Sequence, residues 1–223
     1  MNNKRTRYLL ASILDGIIAI AVIVSVVWLF EFMRYEFPGS NKYAEYMKYF
    51  TVQSNIVLGV VALIALPFDI LLAANKLERR PAWLRALYLC ASVGTSVTML
   101  TVIFFLGPTM GYENMYNEAN MFMHLLTPLF GLCRVLFFED KSLPFPVTFC
   151  GTAHMVIYGI FYMTNLVAHD GYGTLAYDWY GFGAGGIGLG ILALFLMAGA
   201  TYGISFLTYF IQKKMSKHWE AKA

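Results

Sequence analysis

The chain alternates long apolar stretches with short polar ones, and six apolar stretches reach the ~20 residues that a bilayer-spanning helix needs. They cover residues 8–32, 50–74, 84–106, 117–138, 146–167 and 183–211. Apolar residues run continuously within each stretch, without the alternation typical of barrel strands. The sequence therefore predicts an all-α fold class: a polytopic membrane protein with a bundle of six transmembrane helices, forming a single domain over residues 1–223.

The composition supports a membrane protein and excludes several other classes. Hydrophobic residues make up 59% of the chain and charged residues only 13%, about half of the ~25% typical of soluble domains. The net charge is +3 and the basic residues do not form one face or arm, so we expect no nucleic-acid partner. Motifs for nucleotide cofactors and catalytic zinc are absent from the sequence, and we expect neither a cofactor nor a metal.

The distribution of Lys and Arg predicts the orientation of the chain. Thirteen of the sixteen fall in the N-terminal segment, the C-terminal segment, and the second and fourth connections or their edges. Cytoplasmic segments carry such an excess of positive charge. With six spans, both termini are then cytoplasmic, and we expect an integral protein of the cell (plasma) membrane. Aromatic residues of the fifth connection are typical of the belt at a membrane interface: Tyr172, Tyr177, Trp179 and Tyr180. The alternative for a few of them is that they line an entry for lipid.

Three ionisable residues lie inside the predicted spans near their cytoplasmic ends. Asp15, Asp69 and Arg134 sit one to two turns from the ends of the first, second and fourth spans. At ~1.5 Å per residue their depths roughly match. Charged groups are costly in a membrane unless they are paired, so we predict a structural ion cluster that joins three helices. A proton or ion pathway, or an arginine reaching the headgroups, are the alternatives.

A second layer of polar residues lies at the opposite ends of the spans. Thr51 and Asn55 are four residues apart on the second span and share a face, which Ser54 flanks. The fourth span brings His124 and, four residues later, Pro128. Proline removes one backbone hydrogen bond and can bend the helix beside the histidine. Because both spans start from the same side, Thr51 and His124 can lie at similar depth.

This arrangement predicts a candidate catalytic dyad. A neutral imidazole within hydrogen-bond reach can take the proton of a threonine hydroxyl and so activate it as a nucleophile. Asn55, Gln53 or Ser54 could donate hydrogen bonds to the oxyanion that develops. The outer leaflet would present lipid esters to such a site. Membrane lipids are therefore the expected partners.

Structural roles for the same residues remain open. Thr51 could cap the second helix, as Ser and Thr often do. His124 could serve as a hydrogen-bond donor between helices. His154, near the middle of the fifth span, is either a possible second site histidine on the same cavity or a packed hydrogen-bonding residue.

Three segments resemble a known family. Residues 49–55, with the sequence YFTVQSN, resemble the Y-F-T-x-Q-S-N signature of the predicted six-transmembrane (Pr6Pr) family. The run from His124 to Pro128 matches its H-x-x-x-P element, and residues 98–108 are similar to its third helix. That family is distantly similar to the androgen-induced and androgen-dependent membrane hydrolases, which cleave fatty-acid esters of hydroxy fatty acids. The resemblance implies Thr51 as nucleophile, His124 as base and a fatty-acid ester as substrate.

The leading hypothesis is a membrane-embedded hydrolase of lipid esters, or an acyltransferase, that uses Thr51 and His124. A small transporter or channel is an alternative, which would need a polar route or interrupted helices in matching positions. Pro67 interrupts the predicted second helix, but the fifth helix has no internal proline. A non-catalytic structural or partner-binding membrane protein is the third hypothesis.

Overall fold

A computed structural model describes residues 3–36, 43–139 and 141–220. Within these ranges the chain forms helices, turns and bends, and no strand. Six of the helical stretches are long and apolar enough to cross a membrane. The predicted all-α fold with six candidate spans is therefore confirmed for the described residues.

The helices follow one another along the chain, and the longest connection among the described residues is 169–186, between the last two helices. Their bounds are α1 (Asn3–Glu36), α2 (Tyr43–Met47), α3 (Phe50–Ala73), α4 (Ala82–Thr101), α5 (Gly107–Met110), α6 (Tyr112–Met115), α7 (Ala119–Met121), α8 (Thr127–Phe138), α9 (Val147–Ala168) and α10 (Ile187–Glu220). The candidate spans, numbered one to six below, are Lys4–Phe32, Phe50–Ala73, Ala82–Met110, Ala119–Phe138, Val147–Ala168 and Ile187–Lys217. The predicted limits differ from these by six residues or fewer, most at the end of span six.

Prolines shape spans two, three and four differently. Span two continues as an α-helix through Pro67, so the interruption predicted there is wrong. Spans three and four instead each contain one five-residue π-helical segment, Val102–Leu106 and Phe122–Leu126. Each segment ends two residues before a proline, at Gly107-Pro108 and Thr127-Pro128. Because proline has no N–H to donate, the helix widens by one residue before it resumes.

The hydrophobic core centres on span three, which is the most enclosed of the six, while span six is the least enclosed. One cluster of buried residues, among them Ile18, Leu58 and Leu89, packs spans one to four together. A second cluster at one end of the bundle joins Phe50 and Val97 to aromatic residues of span five and the segment after it. We call this the cavity end. The opposite end, where spans one, three and five begin, is the cluster end.

Candidate functional site

A cavity of about 430 Å³ lies at the cavity end, between spans two, three, five and six. Most of its lining is apolar or aromatic: Phe50, Val97, Phe105, Leu106, Met155, Gly159, Met163, Phe182, Gly190, Leu194 and Met197. The polar lining residues are Thr51, Thr98, Thr101, Tyr158, Tyr162 and Tyr180. Its volume falls within the ~300–1,000 Å³ typical of small-molecule pockets. Such a lining suits an acyl chain.

The cavity also reaches the outer face of the bundle. Phe105 lines the cavity and is 69% exposed. Leu194 and Met197 of span six line the same space and are half-buried. The wall between spans three and six is thus continuous with the surface that would face lipid. A chain in the bilayer could enter sideways.

Three threonines of the lining make no hydrogen bond through their hydroxyls within the described part of the chain: Thr51, Thr98 and Thr101. Thr95 and Thr201 behave in the ordinary way and donate to backbone carbonyls three or four residues earlier. Thr98 has a buried oxygen without a partner, whereas Thr51 and Thr101 are half-buried. The hydroxyls of Thr51 and Thr101 therefore remain able to bind a ligand.

His124 lies in the second π-helical segment and is 9% exposed. Its Nδ1 is 2.7 Å from the carbonyl oxygen of Met115. Because a carbonyl only accepts, Nδ1 carries a proton, and in the neutral ring Nε2 keeps its lone pair. This tautomer suits a general base. The ring does not line the cavity, however, and no hydrogen bond joins it to Thr51.

Asn55 connects the segments that carry Thr51 and His124. Its Nδ2 donates to the carbonyl oxygens of Thr51, at 2.8 Å, and Met123, at 3.0 Å. Its Oδ1 accepts from the hydroxyl of Thr127. The Met123 carbonyl lies five residues before Pro128 and so lacks the N–H that a π-helix would supply. Asn55 supplies that donor, and both of its amide hydrogens are engaged.

The other two predicted oxyanion donors also bind carbonyls. Gln53 Nε2 donates to the Met47 carbonyl at 2.9 Å, and Ser54 Oγ donates to the Thr51 carbonyl at 3.1 Å. With Asn55, they stabilise the first turns of span two and its contact with span four. A role at an oxyanion would require these bonds to be exchanged.

His154 does not line the cavity. Its ring packs against the ring of Phe50, with centroids 4.9 Å apart, and Phe50 is itself a lining residue. Nδ1 of His154 is buried and has no hydrogen-bond partner. The histidine therefore lies one layer behind the cavity wall.

The segment after span five contributes more to the site than an interfacial belt would. Tyr180 lines the cavity, and its hydroxyl accepts a hydrogen bond from the backbone N–H of Phe50 at 2.9 Å. Burial raises the pKa of Tyr180 to about 12. Trp179 Nε1 donates to the hydroxyl of Tyr158 at 2.9 Å. The unusual density of aromatic residues was a signal for this contact, but the sequence did not show that they fold back over the bundle.

Asp178 holds this segment together. It is 1% exposed and accepts hydrogen bonds from the hydroxyl of Tyr162 and from the N–H groups of Gly173, at 2.9 Å, and Gly183, at 3.1 Å. Burial by itself would raise the pKa of this carboxyl, but the hydrogen bonds outweigh burial and lower it. Asp178 is thus a stable carboxylate at neutral pH.

At the cluster end, Arg134 forms ion pairs with carboxylates of three segments. It is fully buried, and its nitrogens lie 2.9 Å from Asp15, 2.6 Å from Asp69 and 3.3 Å from Glu139. The three ionisable residues singled out in the sequence are therefore in direct contact. A guanidinium fork suits such multiple pairing.

Further charged residues complete this ion cluster. Arg80 pairs with Asp69 at 2.5 Å, and Arg85 pairs with Glu139 at 2.8 Å. Tyr88 donates to Asp15 at 2.6 Å. Three arginines thus balance three carboxylates. The sequence did not identify Arg80, Arg85 and Glu139, because they lie at the edges of connections where charge is ordinarily solvated. Among the described residues no group of three His, Cys, Asp or Glu could hold a metal ion.

Comparisons of the chain with family models, with curated proteins and with solved structures find no match. The resemblance to the predicted six-transmembrane family stays a prediction.

Proposed function

We propose that this protein is a membrane-embedded hydrolase that binds a lipid acyl chain in the cavity and cleaves a fatty-acid ester at Thr51. One observation carries the proposal. The Thr51 hydroxyl has no hydrogen-bond partner among the described residues, and Thr51 lines an apolar cavity of about 430 Å³. A lipid ester offers an apolar chain for the cavity and a carbonyl for a hydroxyl at its edge.

His124 is the proposed base. Its Nδ1–H is held by the Met115 carbonyl, which leaves Nε2 to take the Thr51 proton. Proton transfer needs the two groups within about 3 Å or joined through one water. Asn55 already holds their segments side by side. The step requires the two side chains to turn towards each other when substrate binds.

The proposed chemistry has two halves. Thr51 Oγ attacks the ester carbonyl carbon, its proton passes to His124 Nε2, and the leaving alkoxide takes that proton to depart as an alcohol. Water then attacks the acyl-threonine, with His124 again taking and returning a proton. An alcohol in place of water would give acyl transfer.

The charge bias of the chain supports an outer-leaflet location for the proposed site. The cluster end has most of the Lys and Arg residues in its connections, which favours the cytoplasmic side of the membrane for this end and for both termini. The cavity end then faces outwards, in the cell membrane. Its proposed substrate is a lipid of that leaflet.

Labelling by a fluorophosphonate probe in native membranes tests the reaction. Thr51→Ala and His124→Ala are expected to abolish labelling at equal expression, whereas Thr51→Ser retains it because a hydroxyl remains. Thr109→Ala is the matched control, since Thr109 is at the same end but donates to the Phe105 carbonyl. Persistent labelling of the Thr51→Ala protein would contradict the nucleophile.

A non-catalytic lipid-binding protein is the second candidate. It is favoured by the engagement of Asn55 with carbonyls and by the lack of a hydrogen bond between Thr51 and His124. A photoreactive fatty acid would then crosslink to the cavity in the wild type and in both alanine variants, without any probe labelling. A transporter is less favoured, because the fully buried apolar residues Leu58 and Val93 lie between the two ends.

A further inference from the structure

Residues 174–182, here called the aromatic strap, lie across the cavity end of the bundle. Tyr180 and Phe182 of the strap line the cavity. Glycines with positive φ lie beside the strap and within it, Gly173 at +71° and Gly181 at +71°. Such backbone conformations are open to glycine at little cost. The strap therefore has points where its path can change without strain elsewhere.

Asp178 latches the strap to span five and to its own flanks. The carboxylate accepts from the Tyr162 hydroxyl of span five, from Gly173 before the strap and from Gly183 after it. A buried carboxylate without these donors would be costly. The closed strap thus depends on one side chain that gathers three donors.

Two further contacts fasten the strap to the start of span two. The Tyr180 hydroxyl accepts the N–H of Phe50, directly before Thr51, and the helix has no side-chain cap of its own there. Lys48 Nζ donates to the Ala176 carbonyl at 3.4 Å and lies 5.2 Å from the centre of the Trp179 ring. The strap therefore fixes the turn that carries Thr51.

The lateral wall of the cavity is apolar, whereas the strap that lies across its end is held by polar contacts. The lateral wall ends in exposed apolar groups such as Phe105, whereas the strap brings a network of hydrogen bonds across the aqueous side. An apolar chain can leave the bilayer and enter sideways without crossing water. Polar solutes would have to pass the strap.

We propose that the aromatic strap seals the cavity from water, that its ligand enters from the bilayer, and that Asp178 and Tyr180 are positioning residues for Thr51. The ligand class is a bilayer-resident lipid, not a water-soluble ester. The positioning role rests on the proposed function of Thr51. The sealing role does not, so the two can be tested apart.

The reactivity of a single cysteine in place of Thr51 measures the seal. Cys90, Cys133 and Cys150 are replaced by alanine, Thr51→Cys is introduced, and open membrane fragments are treated with an apolar maleimide or a charged methanethiosulfonate. The apolar reagent is expected to react with the closed strap and the charged reagent to react slowly. Asp178→Asn should raise the charged reagent's rate by about tenfold or more, because it weakens several hydrogen bonds to a charged group.

Matched variants distinguish loss of the Asp178 hydrogen bonds from nonspecific disruption of the structure. Asp170→Asn is the control, since Asp170 is an exposed acid just before the strap and should leave the rate unchanged. Tyr162→Phe removes one donor and keeps the Asp178 charge, so it tests the latch even if Asp178→Asn does not fold. Tyr180→Phe keeps the ring but loses the acceptor for Phe50, with an expected rise of a few fold.

Two outcomes overturn the seal: equal rates for the charged reagent in the Asp178→Asn, Tyr162→Phe and Asp170→Asn backgrounds, or a fast charged reaction with the strap intact. Fluorophosphonate labelling of Thr51 can still occur with either outcome. That combination would reject the sealing role of the strap and support the hydrolase. The converse, a strap-dependent rate without labelling in the wild type, would reject the hydrolase and keep the seal.

Discussion

The two ends of the bundle differ in the kind of polar group that they hold: charged pairs at one end and neutral hydroxyls at the other. At the cluster end, Arg134 is paired with Asp15, Asp69 and Glu139, and arginines balance carboxylates one to one. At the cavity end, the neutral hydroxyls of Thr51, Thr98 and Thr101 line an apolar space and have no partner among the described residues. Buried polar groups are normally hydrogen-bonded. The charges of the cluster are paired, although Asp15 Oδ2 and Arg80 Nη2 lack a hydrogen bond among the described residues, and this pairing indicates a structural role. The hydroxyls at the cavity end instead line a space large enough for a ligand.

The cavity end also has the less regular backbone. The carbonyls of Ile103 and Met123 lie five residues before Pro108 and Pro128 and so have no helical donor. Tyr112 donates to the first at 2.8 Å and Asn55 to the second at 3.0 Å. In lipid such carbonyls must find a partner within the protein. π-helical segments of this kind occur frequently at functional sites.

The largest expected effect comes from breaking the cluster end. Arg134→Leu leaves buried carboxylates without their main partner and should lower the free energy of unfolding by about 3–5 kcal/mol. Thermal unfolding in detergent micelles measures the change. Arg80→Leu should have a smaller but clear effect, whereas Arg79→Leu is the neighbouring control, because Arg79 is exposed. Equal stability of the Arg134 and Arg79 variants would show that the cluster does not hold the helices.

A second prediction concerns the polar bridge at the cavity end. Asn55→Leu should cost about 2–3 kcal/mol, because it leaves the Met123 carbonyl and the Thr127 hydroxyl with fewer partners in an apolar setting. Gln53→Leu removes a half-buried donor to Met47 and should cost about 1 kcal/mol or less. Unfolding in a denaturant series compares the two. A large activity loss with unchanged stability for Asn55→Leu would favour an oxyanion role over a structural one.

The smallest expected effect on the free energy of unfolding comes from removing a threonine hydroxyl. Its sign should differ between a hydroxyl without a hydrogen bond and one that donates to a backbone carbonyl. Thr98→Val removes a buried hydroxyl without a partner and should stabilise the ligand-free protein by up to about 1 kcal/mol. Thr95→Val removes a hydroxyl that donates to the Ser92 carbonyl at 3.1 Å, and should be neutral or slightly destabilising. Thermal unfolding after delipidation checks both. Loss of stability in the Thr98→Val protein would indicate that this hydroxyl has a partner in the folded state.

The sequence predicted some residues of the ion cluster and of the cavity, but it did not predict the full set at either end. Asp15, Asp69 and Arg134 stood out because charge inside an apolar run is unusual, and they are in contact. Thr51 stood out as a polar residue that shares a helix face with Asn55, and it lines the cavity. His124 lies in the π-helical segment before Pro128 and outside the cavity lining, which the sequence pattern did not indicate. The density of aromatic residues in the strap stood out, but the sequence assigned most of them to an interfacial belt, where aromatics are common.

The sequence by itself determined that the chain forms six helices long and apolar enough to cross a membrane. Apolar runs of span length have one favourable solution in lipid, since each helix satisfies its own backbone, and the six runs predicted the six candidate spans closely. Only the tertiary structure decided which polar side chains meet. Contacts such as Asn55 with Met123, or Tyr180 with Phe50, join residues far apart in the chain. They depend on how helices rotate and pack, which is set by side-chain fit across the whole bundle and is not encoded in any local pattern.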